Sequence, residues 1–172
     1  MNIGFIDPTA WISDSTTIGK NVQVGPFCMI SNGVIIGDNC KIGARVSVPE
    51  NVILEDLTYI GDNVVFINSK VPRSFIRNEP AKETILKYGS SIGSNSTIQC
   101  GVTIGKFSFV DHGSFIIKNI SDNKFVSGNP QEEKYTICKC GKDLNLVNNV
   151  CNDCKSLFRY NSFYEDYIVE DL

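Results

Sequence analysis

The chain has a single histidine, a single tryptophan and two methionines in 172 residues, and no apolar run long enough to cross a bilayer as a helix. One imidazole excludes a metal centre built on three histidines. No basic stretch is present either: 16 Lys and Arg stand against 19 Asp and Glu, for a formal net charge of −3. That balance gives nothing to track a phosphate backbone, so nucleic acid is not an expected partner. The amino terminus lacks a charged segment followed by an apolar one. The expectation is a soluble, cytoplasmic protein with no membrane partner. The seven cysteines do not form a secreted framework, since Cys28, Cys40 and Cys100 stand singly and Cys138, Cys140, Cys151 and Cys154 crowd together near the carboxyl terminus.

What the chain has in abundance is a period of six. Stepping from Ile6 gives Ile12, Ile18, Val24, Ile30, Ile36, Ile42, Val48, Leu54, Ile60 and Phe66 without a miss. A helix would scatter every sixth residue around its axis, so the period argues for short strands joined by regular corners. Four residues after each aliphatic one comes a small or β-branched residue, from Ala10 and Thr16 through Cys28, Cys40 and Thr58 to Val64. Both sets are expected to point inward. Glycine often follows the aliphatic residue (Gly19, Gly25, Gly37, Gly43, Gly61), and asparagine recurs two positions later (Asn21, Asn39, Asn51, Asn63). Both are residue types that tolerate positive φ at a tight corner. Three hexapeptides make a triangular coil, and coils stack by parallel pairing at roughly 4.8 Å. Cys28, Cys40 and Cys100 read as small buried residues, with exposure the alternative for Cys100, which lies just beyond an inward position.

The phase breaks after Phe66 and resumes at Leu86, Ile92, Ile98, Ile104, Val110 and Ile116. Between them, residues 67–85 form a polar excursion containing Pro72, Arg73, Arg77, Pro80, Lys82 and Glu83, too long for a corner. A regular solenoid does not need such a loop, which points to function. Ser121 to Pro130 reads as an exit loop. The division expected is a repeat domain over residues 1–130 and a four-cysteine tail over 131–172.

The hexapeptide pattern resembles that of the hexapeptide-repeat transferases, which implies an all-β, left-handed parallel β-helix; the handedness follows from the resemblance alone. Phe66-Ile67-Asn68-Ser69-Lys70-Val71-Pro72-Arg73-Ser74 resembles the F-x-N-x-x-x-P-R-S signature of nucleotide-sugar N-acetyltransferases. Thr84 to Gly89, Ser91 to Ile98 and Gly128-Asn129-Pro130 resemble their re-entry and exit segments. The likeness is greatest to enzymes that acetylate the 3-amino group of UDP-2-acetamido-3-amino-2,3-dideoxyglucuronate. It implies acetyl-CoA as co-substrate, a nucleotide-linked amino sugar as acceptor, and a homotrimer with sites between subunits. Asn68 and His112 are then the catalytic candidates. Arg73 and Lys87 are candidates for the sugar nucleotide, and Gly113, Lys118, Lys124 and Asn129 for the coenzyme. Two departures stand out: Asp111-His112 where the family has Gly-Ala, and Gln131-Glu132-Glu133 where it often has a basic contact.

His112 sits two residues past an inward valine, at an outward corner, where it can be a base or a solvated corner residue. Asn68 can orient an amine but cannot take its proton. Cys138-Lys-Cys140-Gly and Cys151-Asn-Asp-Cys154 form two chelating pairs ten residues apart, a spacing similar to a zinc ribbon, which calls for one structural zinc held by four thiolates. Competing readings are an O-acetyltransferase for a small hydroxylated acceptor, which needs a firmer base, and a non-catalytic scaffold that binds partner proteins.

Overall fold

The computed structural model describes residues 4–75, 82–142, 146–147, 149–161 and 166–169. Arg77 and Pro80 of the excursion lie outside the described residues. Among those described there is no helix, and so none long and apolar enough to cross a membrane. The architecture is the expected parallel β-solenoid with three faces. Face one stacks Trp11–Ile12, Met29–Ile30, Ser47–Val48, Val65–Phe66, Thr97–Ile98 and Phe115–Ile116. Face two stacks Thr17–Ile18, Ile35–Ile36, Val52–Leu54, Thr84–Leu86 and Thr103–Ile104. Face three stacks Gln23–Val24, Lys41–Ile42, Tyr59–Ile60, Ser91–Ile92, Phe109–Val110 and Lys124–Ser127, and is closed by the antiparallel strand Glu132–Thr136.

Each coil returns after 18 residues, as in Trp11 against Met29 and Met29 against Ser47. In the two-residue strands of the solenoid the second residue points inward and is buried from Val24 onward, as are Leu54, Leu86 and Val126 of the longer strands, with Val22, Cys28, Val34, Cys40, Val46, Val52 and Val64 filling the narrower positions. Burying aliphatic side chains on this scale supplies the main driving force, about 25 cal/mol per Å² of apolar surface. Ile6, Ala10, Ile12 and Ile18, in the first coil, are only partly covered. At several narrow positions a small polar side chain reaches the carbonyl of the residue fifteen places on: Thr16 Oγ1 to Ser31 O, Cys28 Sγ to Gly43 O, Cys40 Sγ to Glu55 O and Ser96 Oγ to Asp111 O. Burial pushes the Cys28 and Cys40 thiols up, which keeps them unreactive.

Two expectations are corrected. The asparagines do adopt positive φ, 54° to 61° at Asn21, Asn39, Asn51 and Asn63, but the glycines that follow the aliphatic residues do not. Glycine is required there for close approach: a Cβ at Gly43 would lie 2.3 Å from Asp62 Oδ1 and 2.8 Å from Asp62 N in the next coil. Cys100 is buried, in keeping with its reading as a small inward residue, and at the neighbouring Gly101 a Cβ would meet Lys82 of the returning chain. The exit is not a loop throughout. Lys124–Ser127 is a strand paired with Phe109–Val110, and this last coil closes in 16 residues, Phe109 against Phe125, with Ile120 and Val126 buried.

The coil end needs a substitute for the missing next strand, and Gln131 provides it. Its Oε1 accepts N–H bonds from Ile117 (2.6 Å) and Lys118 (2.8 Å), while Nε2 donates to Lys118 O at 3.2 Å. Similarly, Asn119 Oδ1 accepts from Thr103 N at 2.9 Å. These side-chain amides satisfy backbone groups that would otherwise end unpaired.

Two glycine substitutions separate close packing from backbone conformation. Gly43→Ala should destabilise by about 2–3 kcal/mol through overpacking against backbone. Gly33→Ala, at φ +67° with open space around it, should cost only about 1–2 kcal/mol. Thermal melts of the two variants test the order, and equal losses would contradict this account of Gly43.

Candidate functional site

The excursion leaves at the corner from face one to face two. Val65 pairs with Thr97, so this coil takes 32 residues instead of 18 and still rejoins in register. The corner stacks one residue per coil, and continuing the pairing of face one places Asn32, Glu50, Asn68, Cys100 and Lys118 in a single column. Below the excursion the column opens into a cleft of about 240 Å³ lined by Trp11, Ser31, Asn32, Pro49, Glu50 and Asn68. Asn68 is exposed at its upper end, and Arg73, the next signature residue, is exposed with Nη1 donating to Pro72 O at 2.9 Å. Lys118 lies two coil rises above Asn68, about 10 Å along the axis.

His112 lies at the opposite edge of face one, on the corner from face three. Here the side chains form a polar ladder: Asp62 Oδ1 accepts from Ala44 N (2.8 Å), Ser94 Oγ from Asp62 N (3.2 Å) and His112 Nδ1 from Ser94 N (2.9 Å). His112 therefore takes the place that an aspartate or serine takes in the coils below. Accepting through Nδ1 assigns the ring proton to Nε2, so the ring is held as a donor at its outer edge. Phe109 packs against it edge-on, and Phe109, Phe125 and Tyr135 continue as a stack with centroids 5.5 and 4.7 Å apart. Gly113 follows at φ +70° with no atom within 4 Å of a Cβ position, which leaves its backbone open to a ligand. Asn129 is exposed beyond the same corner, in a cis bond to Pro130.

Within one chain these residues form two groups rather than one site. Asn68 and Arg73 flank face one on one side; His112, Gly113 and Asn129 flank it on the other. The width of a six-residue side combined with two coil rises separates Asn68 from His112 by roughly 20 Å. Lys87 belongs to neither group, being at the corner from face two to face three, and Lys124 lies on face three with Nζ donating to Thr136 Oγ1 at 3.3 Å. The outer surface between the two groups is unusually apolar, with Trp11, Met29 and Val65 exposed.

Two features escaped a reading of the repeat. Glu50 looks like any corner residue in sequence and joins the cleft only because coil stacking puts it beneath Asn68. Gln131 looked like a lost basic contact, yet it caps the last coil.

The tail brings its four cysteines together. The Sγ atoms of Cys138, Cys140, Cys151 and Cys154 all lie within 4.8 Å of one another, with 3.4 Å between Cys138 and Cys154. Each pair sits in a tight turn closed by backbone bonds: Gly141 N to Cys138 O (2.8 Å), and Lys155 N to Cys151 O (3.0 Å). Burial pushes the Cys138 thiol far up; burial also raises Cys154, but bonds from Ser156 and the other sulfurs outweigh it and bring that thiol down to about 6. Four sulfurs in this volume fit a tetrahedral metal with Zn–S distances of about 2.3 Å. An exposed ion pair, Lys142 Nζ to Asp153 Oδ1 at 2.6 Å, joins the two turns.

Comparison with known proteins agrees with this geometry. The repeat family described as bacterial transferase hexapeptide (six repeats) matches residues 15–49 and 36–68, and the hexapeptide repeat of succinyl-transferase matches residues 89–118. A dTDP-3-amino-3,6-dideoxy-alpha-D-galactopyranose 3-N-acetyltransferase from Aneurinibacillus thermoaerophilus is 37% identical over 91 residues, covering 52% of this chain and 44% of that protein. The chain thus spans less than half of that relative's length. Among solved structures, AntD, an N-acyltransferase from Bacillus cereus in complex with dTDP and 3-hydroxybutyryl-CoA, superposes with a TM-score of 0.70 at 24% identity, over 78% of this chain and 80% of that one. A mutant perosamine N-acetyltransferase from Caulobacter crescentus in complex with CoA and GDP-perosamine gives 0.67 at 22% identity, over 77% and 56% of the two chains. At these identities the structural likeness is one of fold. The matched segments fall on the coils before and after the excursion, and in those coils the chain is similar to the bacterial hexapeptide-repeat transferases.

Proposed function

We propose that the protein is an acetyl-CoA-dependent N-acetyltransferase acting on the amino group of a nucleotide-linked amino sugar, a 3-amino sugar on UDP or dTDP. The observation that carries the reading is Asn68, the signature asparagine, exposed on the cleft where the excursion leaves the solenoid. A relative named for 3-N-acetylation of a dTDP-amino sugar, and neighbours holding CoA or acyl-CoA with a nucleotide or nucleotide sugar, support it. The enzyme works in the cytoplasm as a homotrimer. Packing three chains through the apolar face one sets the Asn68 and Arg73 edge of one against the His112, Gly113 and Asn129 edge of the next. That arrangement unites the two half-sites and hides Trp11, Met29 and Val65. Residues 1–130 carry the transfer chemistry and 131–172 form the tail, fastened to face three by Glu132–Thr136.

In the reaction the amine nitrogen attacks the thioester carbonyl, the C–S bond breaks, and the surplus proton goes to the departing thiolate. A thiol with an ordinary pKa of about 8.5 leaves without much help. Asn68 aims the amine, and the open backbone at Gly113 admits the coenzyme, with exposed Lys118 available for its phosphates and Lys124, Asn129 and Lys87 as outer contacts. His112 is the reserve base, since its Nδ1 is committed to Ser94. Zinc, bound by Cys138, Cys140, Cys151 and Cys154, leaves no open coordination position and serves the structure of the tail.

Four outcomes follow. Asn68→Ala should lower turnover about 100-fold through lost orientation, and unchanged kinetics would remove Asn68 from this role. His112→Ala should keep turnover within about threefold but lower the melting temperature, because Ser94 N–H loses an acceptor worth about 0.5–1.5 kcal/mol; His112→Ser should regain it. Abolished turnover in a folded, trimeric His112→Ala protein would make histidine the base. Sedimentation should find a trimer, and elemental analysis of protein purified without chelator about one zinc per chain; an active monomer or a metal-free folded tail would contradict the respective assignment.

A further inference from the structure

At five corner positions of the solenoid, carboxylates are used by the backbone. Asp38 accepts from Lys20 N, Asp56 from Asp38 N, Asp62 from Ala44 N, Asp122 from Lys106 N and Glu55 from Tyr88 N, at 2.7 to 2.8 Å. Glu50 breaks this pattern. It stands at a corner, yet among the described residues neither it nor Asn68 has a hydrogen-bond or ion-pair partner, and both line the cleft. Pairing of Val65 with Ser47 puts them in adjacent coils, one rise of about 4.8 Å apart. Among the described residues no lysine or arginine lines the cleft; the polar groups they place there are Ser31, the carboxamides of Asn32 and Asn68, and this one carboxylate.

A carboxylate that stabilises no backbone group and faces a cleft beside an amine-orienting asparagine has the chemistry to hold a cation. At about 240 Å³ the cleft is smaller than the roughly 300–1,000 Å³ of sites that engulf a whole drug-sized ligand, so it receives one end of an acceptor rather than all of it. A diphosphate is disfavoured next to Glu50. The amino end of the sugar is favoured, because a protonated amine gains a charge-assisted bond to the carboxylate that a hydroxyl does not. We propose that Glu50 is a specificity-determining residue that captures the acceptor's amino group beside Asn68 and so selects amino over hydroxyl acceptors. The proposal rests on the acetyltransferase reading above. Binding is the step Glu50 governs: the bound ammonium then releases one proton to water at the open mouth of the cleft, and the neutral amine forms the bond to the thioester carbon as the C–S bond breaks and its surplus proton passes to the thiolate.

The test compares the parent protein with Glu50→Gln and Glu50→Asp, on a nucleotide-linked 3-amino sugar with saturating acetyl-CoA. Calorimetry of the same nucleotide sugar, and of its analogue with a hydroxyl in place of the amine, supplies a readout independent of turnover. Glu50→Gln should raise the acceptor KM about tenfold or more, with the loss carried by KM rather than kcat, and should erase the preference of the parent for amine over hydroxyl. Glu50→Asp, which keeps the charge, should recover most of it. Higher salt should weaken acceptor binding in the parent more than in Glu50→Gln. An acceptor KM within twofold of the parent in Glu50→Gln, or an undiminished amine preference, overturns the assignment while leaving the acetyltransferase reading intact. A parent protein that neither binds nor acetylates any nucleotide-linked amine overturns both.

Discussion

Every feature of this molecule depends on backbone pairing between successive coils. A strand of two residues has too few hydrogen bonds to persist alone, and gains its stability from neighbours in the coils above and below. The chain must therefore come back into register at each turn. Eighteen residues achieve this in the regular coils, 32 at the excursion and 16 in the last, and the pairs stay aligned through all three. Insertions are tolerated only where the chain leaves and rejoins at one corner, which is why the variable part of the protein is also the part that opens a cleft.

The corners are where that constraint meets chemistry. Each leaves backbone N–H groups without a strand partner, and the sequence supplies acceptors from the coil above: aspartates, a serine, and at one place the ring of His112. A side chain in such a ladder is held in position but has spent a lone pair. Residues at corners that do not join a ladder are free for ligands, and Glu50 and Asn68 are of this kind. The distinction between ladder and cleft is thus a division of labour among residues of similar polarity.

The same reasoning relates the two groups of candidate residues. Face one carries Asn68 on one edge and His112 on the other, with an apolar strip between, so the spacing that builds the prism also keeps the groups apart within one chain. The tail obeys a different rule. Its short hairpins cannot bury a core of their own, and four sulfurs drawn to within 4.8 Å give them a point of closure that the solenoid does not need.

The six-residue period decided much from the sequence alone, because an inward side chain every sixth residue is incompatible with helix and leaves a three-sided prism as the packing solution. Ile30, Ile60 and Ile98 could be placed in the core by counting, and Asn21, Asn39 and Asn63 at left-handed corners by residue type. The excursion was visible as a break in phase, Asn68 by its signature, and the four cysteines by their spacing. Counting could not say that Gly43 exists for the sake of Asp62 one coil away, that Gln131 stands in for a missing strand, or that the returning chain passes over Gly101. Nor could it show that His112 is tied to Ser94 while Glu50 has no partner among the described residues. Those relations run between residues about one coil apart in sequence and about 5 Å apart in space, and stacking alone decides which side chain finds a backbone partner and which is left facing the cleft.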